Sequence, residues 1–142
     1  MTDSGITMSP LRVRYAETDQ MGIVHHAVYL IWCEQARTDH MRDKGVSYSS
    51  LEAQGLRLPV VEASLRYRAA ARYEELVEVR CWVRDISSRR VIFGYAVDRA
   101  EDRTLLATAQ TSLIAVDSNH DITTLPISVR EKLVSIPDPV RM

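Results

Sequence analysis

Tyr15-Ala16-Glu17-Thr18-Asp19-Gln20-Met21-Gly22-Ile23-Val24-His25-His26-Ala27-Val28-Tyr29 places a carboxylate, a glycine and two adjacent histidines directly ahead of a helix. Apolar and aromatic residues then run densely from Ala27 through Tyr29, Leu30, Ile31 and Trp32 to Cys33 and Ala36. The pattern turns charged from Arg37 to Lys44, and Gly45 supplies a C-terminal stop. No Ser, Thr, Asn or Asp stands immediately before this helix, so its first amides, at the positive end of the helix dipole, favour negative charge nearby. A ligand oxygen can fill that place. Gly22 lets the loop bend back and carries Asp19 toward the helix start. The alternative is that Asp19 caps the helix from a distance, or that Thr18 and Asp19 only stabilise a turn.

Working outward, the chain alternates in the manner of strands. Val77, Val79, Cys81 and Val83 alternate with Glu78, Arg80, Trp82 and Arg84, the period-two pattern of a strand with one buried face. Val91, Phe93, Tyr95 and Val97 repeat it. Further strands are expected over Leu11–Tyr15, over Leu58–Tyr67, where Pro59 marks an edge or bulge, and over Leu105–Val116. A short helix or turn is expected over Val46–Gln54 and a small closing helix over Ile127–Leu133. One early helix followed by consecutive strands describes an α+β domain whose single antiparallel sheet wraps the apolar helix. Such a sheet leaves edge strands, which a small domain covers by pairing with itself, so a homo-oligomer is expected, a dimer at minimum. Trp82, on the polar side of its strand, marks either a contact surface or a cover over a neighbour.

Composition narrows the class. The 142 residues suit a single domain, 1–142, with a flexible start over 1–8 and a loose tail over 136–142. No apolar run reaches the ~20 residues of a membrane helix, and the opening residues lack a secretion signal, so a cytoplasmic location without a membrane span is expected. A net charge of −1 argues against a nucleic-acid partner. Cys33 and Cys81 have neither metal-ligand nor disulfide-framework spacing and read as buried thiols. No metal is expected at His25, His26 or His40, since adjacent histidines diverge and no His-Glu-x-x-His set is present. His40 reads as a helix-surface or C-terminal dipole residue, and His120 as part of the Asp117–Asp121 turn.

Over Tyr15–Arg37 the chain resembles the hot dog fold acyl-CoA thioesterases of the 4-hydroxybenzoyl-CoA thioesterase type, most closely their Tol-Pal-associated branch. The resemblance rests on Asp19-Gln20-Met21-Gly22-Ile23-Val24, His26-Ala27-Val28-Tyr29-Leu30 and Cys33-Glu34-Gln35-Ala36-Arg37. His25 departs from a frequent tyrosine and Val28 from a frequent asparagine, which touches acyl preference more than reaction type. The resemblance implies a curved five-stranded antiparallel sheet around one long central helix. It implies hydrolysis of acyl-CoA to free acid and CoA without a cofactor, with Asp19 as the catalytic carboxylate and the His26 amide polarising the thioester carbonyl. It also implies subunits that join their sheets with the acyl site at the interface, and tetramers built from such dimers.

The chemistry needs stabilisation of a carbonyl oxyanion, an activated attacker and a route for the leaving thiol. Fixed amide donors at the helix start, around Gly22, His25 and His26, suit the first need, at about 3 kcal/mol per donor. Asp19 suits the second, either as nucleophile or as general base toward water. Substrate-binding candidates are Tyr29, Glu34, Arg89 and Arg90. Glu34 either assists or forms a buried ion pair with Arg37 or Arg66. Arg89 and Arg90 are candidates for the CoA phosphates, with Arg66, Arg68 and Arg72 in reserve, or else a solvated charge run. Two other readings are an acyl-thioester hydratase or dehydratase, disfavoured by the Asp-to-His spacing, and a non-catalytic acyl-thioester-binding protein.

Overall fold

The computed structural model describes residues 4–142. Five strands form one antiparallel sheet: β1 (Thr7–Arg12), β2 (Val60–Tyr67), β3 (Leu76–Ile86), β4 (Arg90–Arg99) and β5 (Leu105–Ile114), in the order β1-β3-β4-β5-β2. The helices are α1 (Val28–Asp43), α2 (Tyr48–Ala53) and α3 (Ile127–Lys132). Helix α1 packs against β1 and β3. Its buried stripe, Tyr29, Trp32, Cys33, Ala36 and Met41, meets Val77, Val79, Cys81 and Val83 of β3 and Val91, Phe93, Tyr95 and Val97 of β4. At roughly 1.5–3 kcal/mol for each large apolar side chain removed from water, this seam dominates the stability. The architecture is the hot dog fold, a sheet wrapped on one long helix.

Several boundaries differ from expectation. The first strand lies earlier, at Thr7–Arg12, because Thr7 and Met8 pair with Cys81 and Arg80; Tyr15–Glu17 is a 3₁₀ turn. Thr7 and Met8, expected within a flexible start over 1–8, are therefore strand, and the first three residues of that start lie outside the described residues. The expected loose tail is tied down. The Ile136 amide bonds the Val83 carbonyl at 3.0 Å, and the Asp138 carboxylate takes hydrogen bonds from the Trp82 indole at 3.0 Å and the Arg84 guanidinium at 2.6–2.8 Å. Trp82 is fully buried beneath this tail and lies against Gly94, where an added Cβ would sit 2.6 Å from the indole. Trp82 therefore covers its own neighbours and is not a contact surface. His40, expected on the helix surface, is buried with its ring edge-on to Phe93, because the last turns of α1 still face the sheet. His120 does sit in the Asp117–Asp121 turn, with φ +66°. No helix among the described residues is long and apolar enough to cross a membrane.

Candidate active site

The loop between the 3₁₀ turn and α1 folds back as a tight hairpin. Asp19 donates its amide to Ile23 at 2.8 Å, the Gly22 amide returns to the Asp19 carbonyl at 3.0 Å, and the Met21 amide bonds Asp19 Oδ1 at 2.8 Å. Gly22 has φ +78° with open space around it, so the backbone angle and not crowding calls for glycine. Among the described residues, Asp19 Oδ2 has no hydrogen-bond partner.

The helix mouth is organised by His25. Its amide bonds the Glu17 carbonyl at 2.9 Å, its carbonyl takes the Val28 amide at 3.0 Å, and its Nδ1 takes the Ala27 amide at 3.1 Å. An imidazole thus does the work that a Ser or Asp performs at most helix starts. Of the expected donor group, Gly22 and His25 spend their amides inside the loop, and the His26 amide has no acceptor among the described residues. The His26 ring stacks on His25 at 4.3 Å, and its carbonyl accepts the Tyr67 hydroxyl at 2.8 Å. These two contacts fix the residue whose amide stays open.

Asp19 and His26 line one cavity of about 360 Å³, together with Met21, Ile23, Val24, Tyr29, the last residue of β2, Tyr67, and the three that follow it, Arg68–Ala70. Tyr29, expected as a substrate contact, forms its wall; its ring meets that of Tyr67 edge-on at 5.3 Å, and its hydroxyl accepts the Ala71 amide at 3.2 Å. Glu34 lies elsewhere: it is exposed, outside the cavity lining, and pairs with neither Arg37 nor Arg66 among the described residues. Arg37 turns inward instead, to the hydroxyls of Tyr48 at 3.2 Å and Tyr95 at 3.3 Å. Arg89 ends the β3–β4 turn and Arg90 opens β4, while the cavity lies at the opposite end of the sheet. The 11 residues of β3 span roughly 35 Å at about 3.3 Å each, so this turn does not reach the cavity of its own subunit. Arg68, a reserve candidate, is the arginine that lines the cavity.

Glu17 escaped the sequence reading. It is buried and accepts the Trp32 indole at 2.9 Å and the Arg14 amide at 2.8 Å, so it ties the loop to α1. Its spacing to Trp32 crosses a loop and an element boundary, so neither helical nor strand periodicity marks the pair. Burial pushes its carboxyl upward, but hydrogen bonds from the Arg14 amide, Trp32 and the Arg14 side chain outweigh burial and hold it below the usual glutamate value. A depressed carboxylate stabilises the fold above its unfolded value and loses that contribution as pH falls through its folded value. Glu17→Gln is therefore expected to lower stability at pH 7 by about 1–3 kcal/mol. The gap to wild type closes toward pH 3, read from melting curves of both proteins. An unchanging gap would assign the effect to shape and not charge.

The two cysteines offer no rival nucleophile. Burial pushes the Cys33 thiol up to about 12 and raises Cys81 well above its ordinary value, so neither is a thiolate near neutrality.

Comparison with known proteins identifies the family. The thioesterase-like superfamily model matches residues 13–141. The acyl-CoA thioester hydrolase YbgC of Escherichia coli O157:H7 is 32% identical over 108 residues, covering 76% of this chain and 80% of its own. The crystal structure of protein TT1821 from Thermus thermophilus superposes with a TM-score of 0.83 at 40% identity, covering 90% and 95% of the two chains. That of the DHNA-CoA thioesterase from Staphylococcus aureus gives 0.79 at 32% identity over 86% and 80%. With the match running from the loop through the pinned tail, the chain belongs to the thioesterase-like superfamily.

Proposed function

We propose that this protein is an acyl-CoA thioesterase in which Asp19 and the His26 amide act on opposite sides of the thioester carbonyl. The carrying observation is that Asp19 and His26, whose Oδ2 and amide have no partner among the described residues, line the same cavity. The carbonyl oxygen takes the His26 N–H, and the negative charge that develops there is stabilised by about 3 kcal/mol. Asp19 then serves in one of two ways. As general base it takes a proton from water, whose oxygen bonds to the carbonyl carbon as the C–S bond breaks. As nucleophile its Oδ2 bonds to that carbon, expels the thiolate and leaves a mixed anhydride that water hydrolyses. Both routes end in free acid and CoA, and a thiolate leaves without a strong general acid.

Tyr29 and Tyr67 wall the acyl side, which suits either a short aliphatic group or a flat aromatic one. Arg68 is the nearest candidate for the phosphates. Arg89 and Arg90 serve only if a second copy presents its β3–β4 turn. We propose a homodimer as the minimum unit, assembled further into a homotetramer, and a cytoplasmic location, in keeping with two buried unbridged cysteines.

The test is incubation with aliphatic and aromatic acyl-CoAs while free thiol is recorded, alongside enoyl-CoA absorbance. Thiol release on at least one acyl-CoA is expected, with no loss of enoyl absorbance. Binding without either signal would favour an acyl-thioester sensor, and absorbance loss would favour a hydratase.

A further inference from the structure

Glu17 is 6% exposed, carries a charge at neutral pH, and is not among the residues that line the Asp19 cavity. A charge taken out of water is costly unless hydrogen bonds hold it, and here those bonds come from two different elements. What they hold follows from the hairpin around Glu17.

Residues 17–19 and 23–25 form two short antiparallel arms. The Asp19 amide bonds the Ile23 carbonyl at 2.8 Å, the His25 amide bonds the Glu17 carbonyl at 2.9 Å, and Thr18 faces Val24 between these rungs. Asp19 therefore ends one arm, and His26 directly follows the other. The arm before His26 is held on its far side as well, where the Val24 amide bonds the Ala71 carbonyl at 2.9 Å. The Asp19 arm has no second neighbour of this kind among the described residues. The hydrogen bond that joins it to α1 is the one from the Trp32 indole to Glu17 Oε2, at 2.9 Å.

Trp32 is a fixed support. It is 3% exposed, lies one turn into the helix, and its ring meets Tyr29 edge-on at 5.0 Å, so the indole moves with α1. Glu17 Oε1 accepts the Arg14 amide at 2.8 Å, which fixes the second oxygen of the carboxylate. The Arg14 guanidinium, at 3.4 Å and largely exposed, adds little. Glu17 thus grips the chain on both sides of His26, through its carbonyl at His25 and through its carboxylate at Trp32.

We propose that Glu17 is a positioning residue for the hydrolysis: by clamping the Asp19 arm to α1 it sets the spacing between the Asp19 carboxylate and the open His26 amide. An attacking group and an oxyanion donor carried by separate segments must keep their spacing through the reaction, and a misplacement of about 1 Å costs about 10²-fold in rate. This catalytic consequence rests on the thioesterase reading, whereas the clamp itself does not.

Glu17→Gln keeps the shape of the side chain, but a neutral amide has one acceptor oxygen for two donors and loses the charge-assisted strength of both bonds. Trp32→Phe breaks the same tie from the α1 side. In folded protein well below the melting temperature, each is expected to lower kcat for thiol release by about tenfold or more, with acyl-CoA affinity by calorimetry within about threefold of wild type. Both substitutions remove one bond, so the double variant is expected to lose little more than the worse single. Amide hydrogen exchange gives a reading that does not depend on turnover. The Asp19 and His25 amides are expected to exchange about tenfold or more faster in either variant, beyond any rise in β3 and β4. An unchanged kcat in folded Glu17→Gln, a fall in affinity in place of kcat, or fully multiplicative losses in the double variant would overturn the proposal. An exchange rise equal in hairpin and sheet would also overturn it, leaving Glu17 a role in global stability alone. If wild-type protein releases no thiol while the hairpin still opens selectively in the variants, the thioesterase reading falls and the clamp stands.

Discussion

Asp19→Asn is expected to cut thiol release by about 10³-fold or more while leaving acyl-CoA binding and the melting temperature nearly unchanged. Asparagine keeps an Oδ1 that can accept the Met21 amide, and Gly22 still closes the turn on the Asp19 backbone, so the loop retains its shape. What is lost is a negative oxygen able to take a proton or attack a carbonyl carbon, and a positioned base alone contributes about 10²–10⁴-fold. The measurement is single-turnover thiol release, with substrate affinity taken separately by calorimetry. If turnover survives, Asp19 is only a turn residue, the alternative its hairpin bonds would equally serve. If binding is lost together with turnover, the substitution has disturbed the pocket.

Trp82→Ala is expected to destabilise the protein by about 3–5 kcal/mol, the range for emptying a large buried aromatic site. The indole is fully enclosed between the sheet and the tail, donates to Asp138 at 3.0 Å, and fills the space that Gly94 leaves. Truncation removes that packing and one of the contacts that pin the tail, while the Arg84–Asp138 pair remains. The chain after Ile136 should then become open to proteolysis before the rest of the sheet. Urea unfolding and limited digestion of wild type and variant check both parts. A loss under 1 kcal/mol with a weakened oligomer would return Trp82 to the role of a contact surface.

The case of Trp82 shows where sequence legibility ended. Its position in the period-two pattern correctly put it on the face away from α1. Periodicity, however, records only which side of a strand a residue takes, not what later chain arrives to cover that side. The tail that does so, Ile136–Asp138, is rich in proline and reads as loose, because its order comes from bonds to Val83, Trp82 and Arg84, more than fifty residues earlier. Glu34 and Arg37 divided for a related reason. Both belong to the same helix, but a helix face becomes inner or outer only when the sheet docks, and docking turned Arg37 to Tyr48 and Tyr95 while leaving Glu34 outside.

By itself the sequence determined the elements and the local chemistry of one loop. Apolar spacing set α1, alternation set β3 and β4, Pro59 set an outer strand or bulge, and Asp19 and Gly22 set the turn before α1. These follow from interactions between residues close in the chain, where pattern and geometry are nearly the same information. The tertiary structure alone decided which groups share a cavity: that Tyr67–Ala70 come to face Asp19 and His26, and that the Arg89–Arg90 turn is carried to the far end of the sheet. Those outcomes depend on strand order and on the direction each amide takes after pairing, which no local pattern encodes.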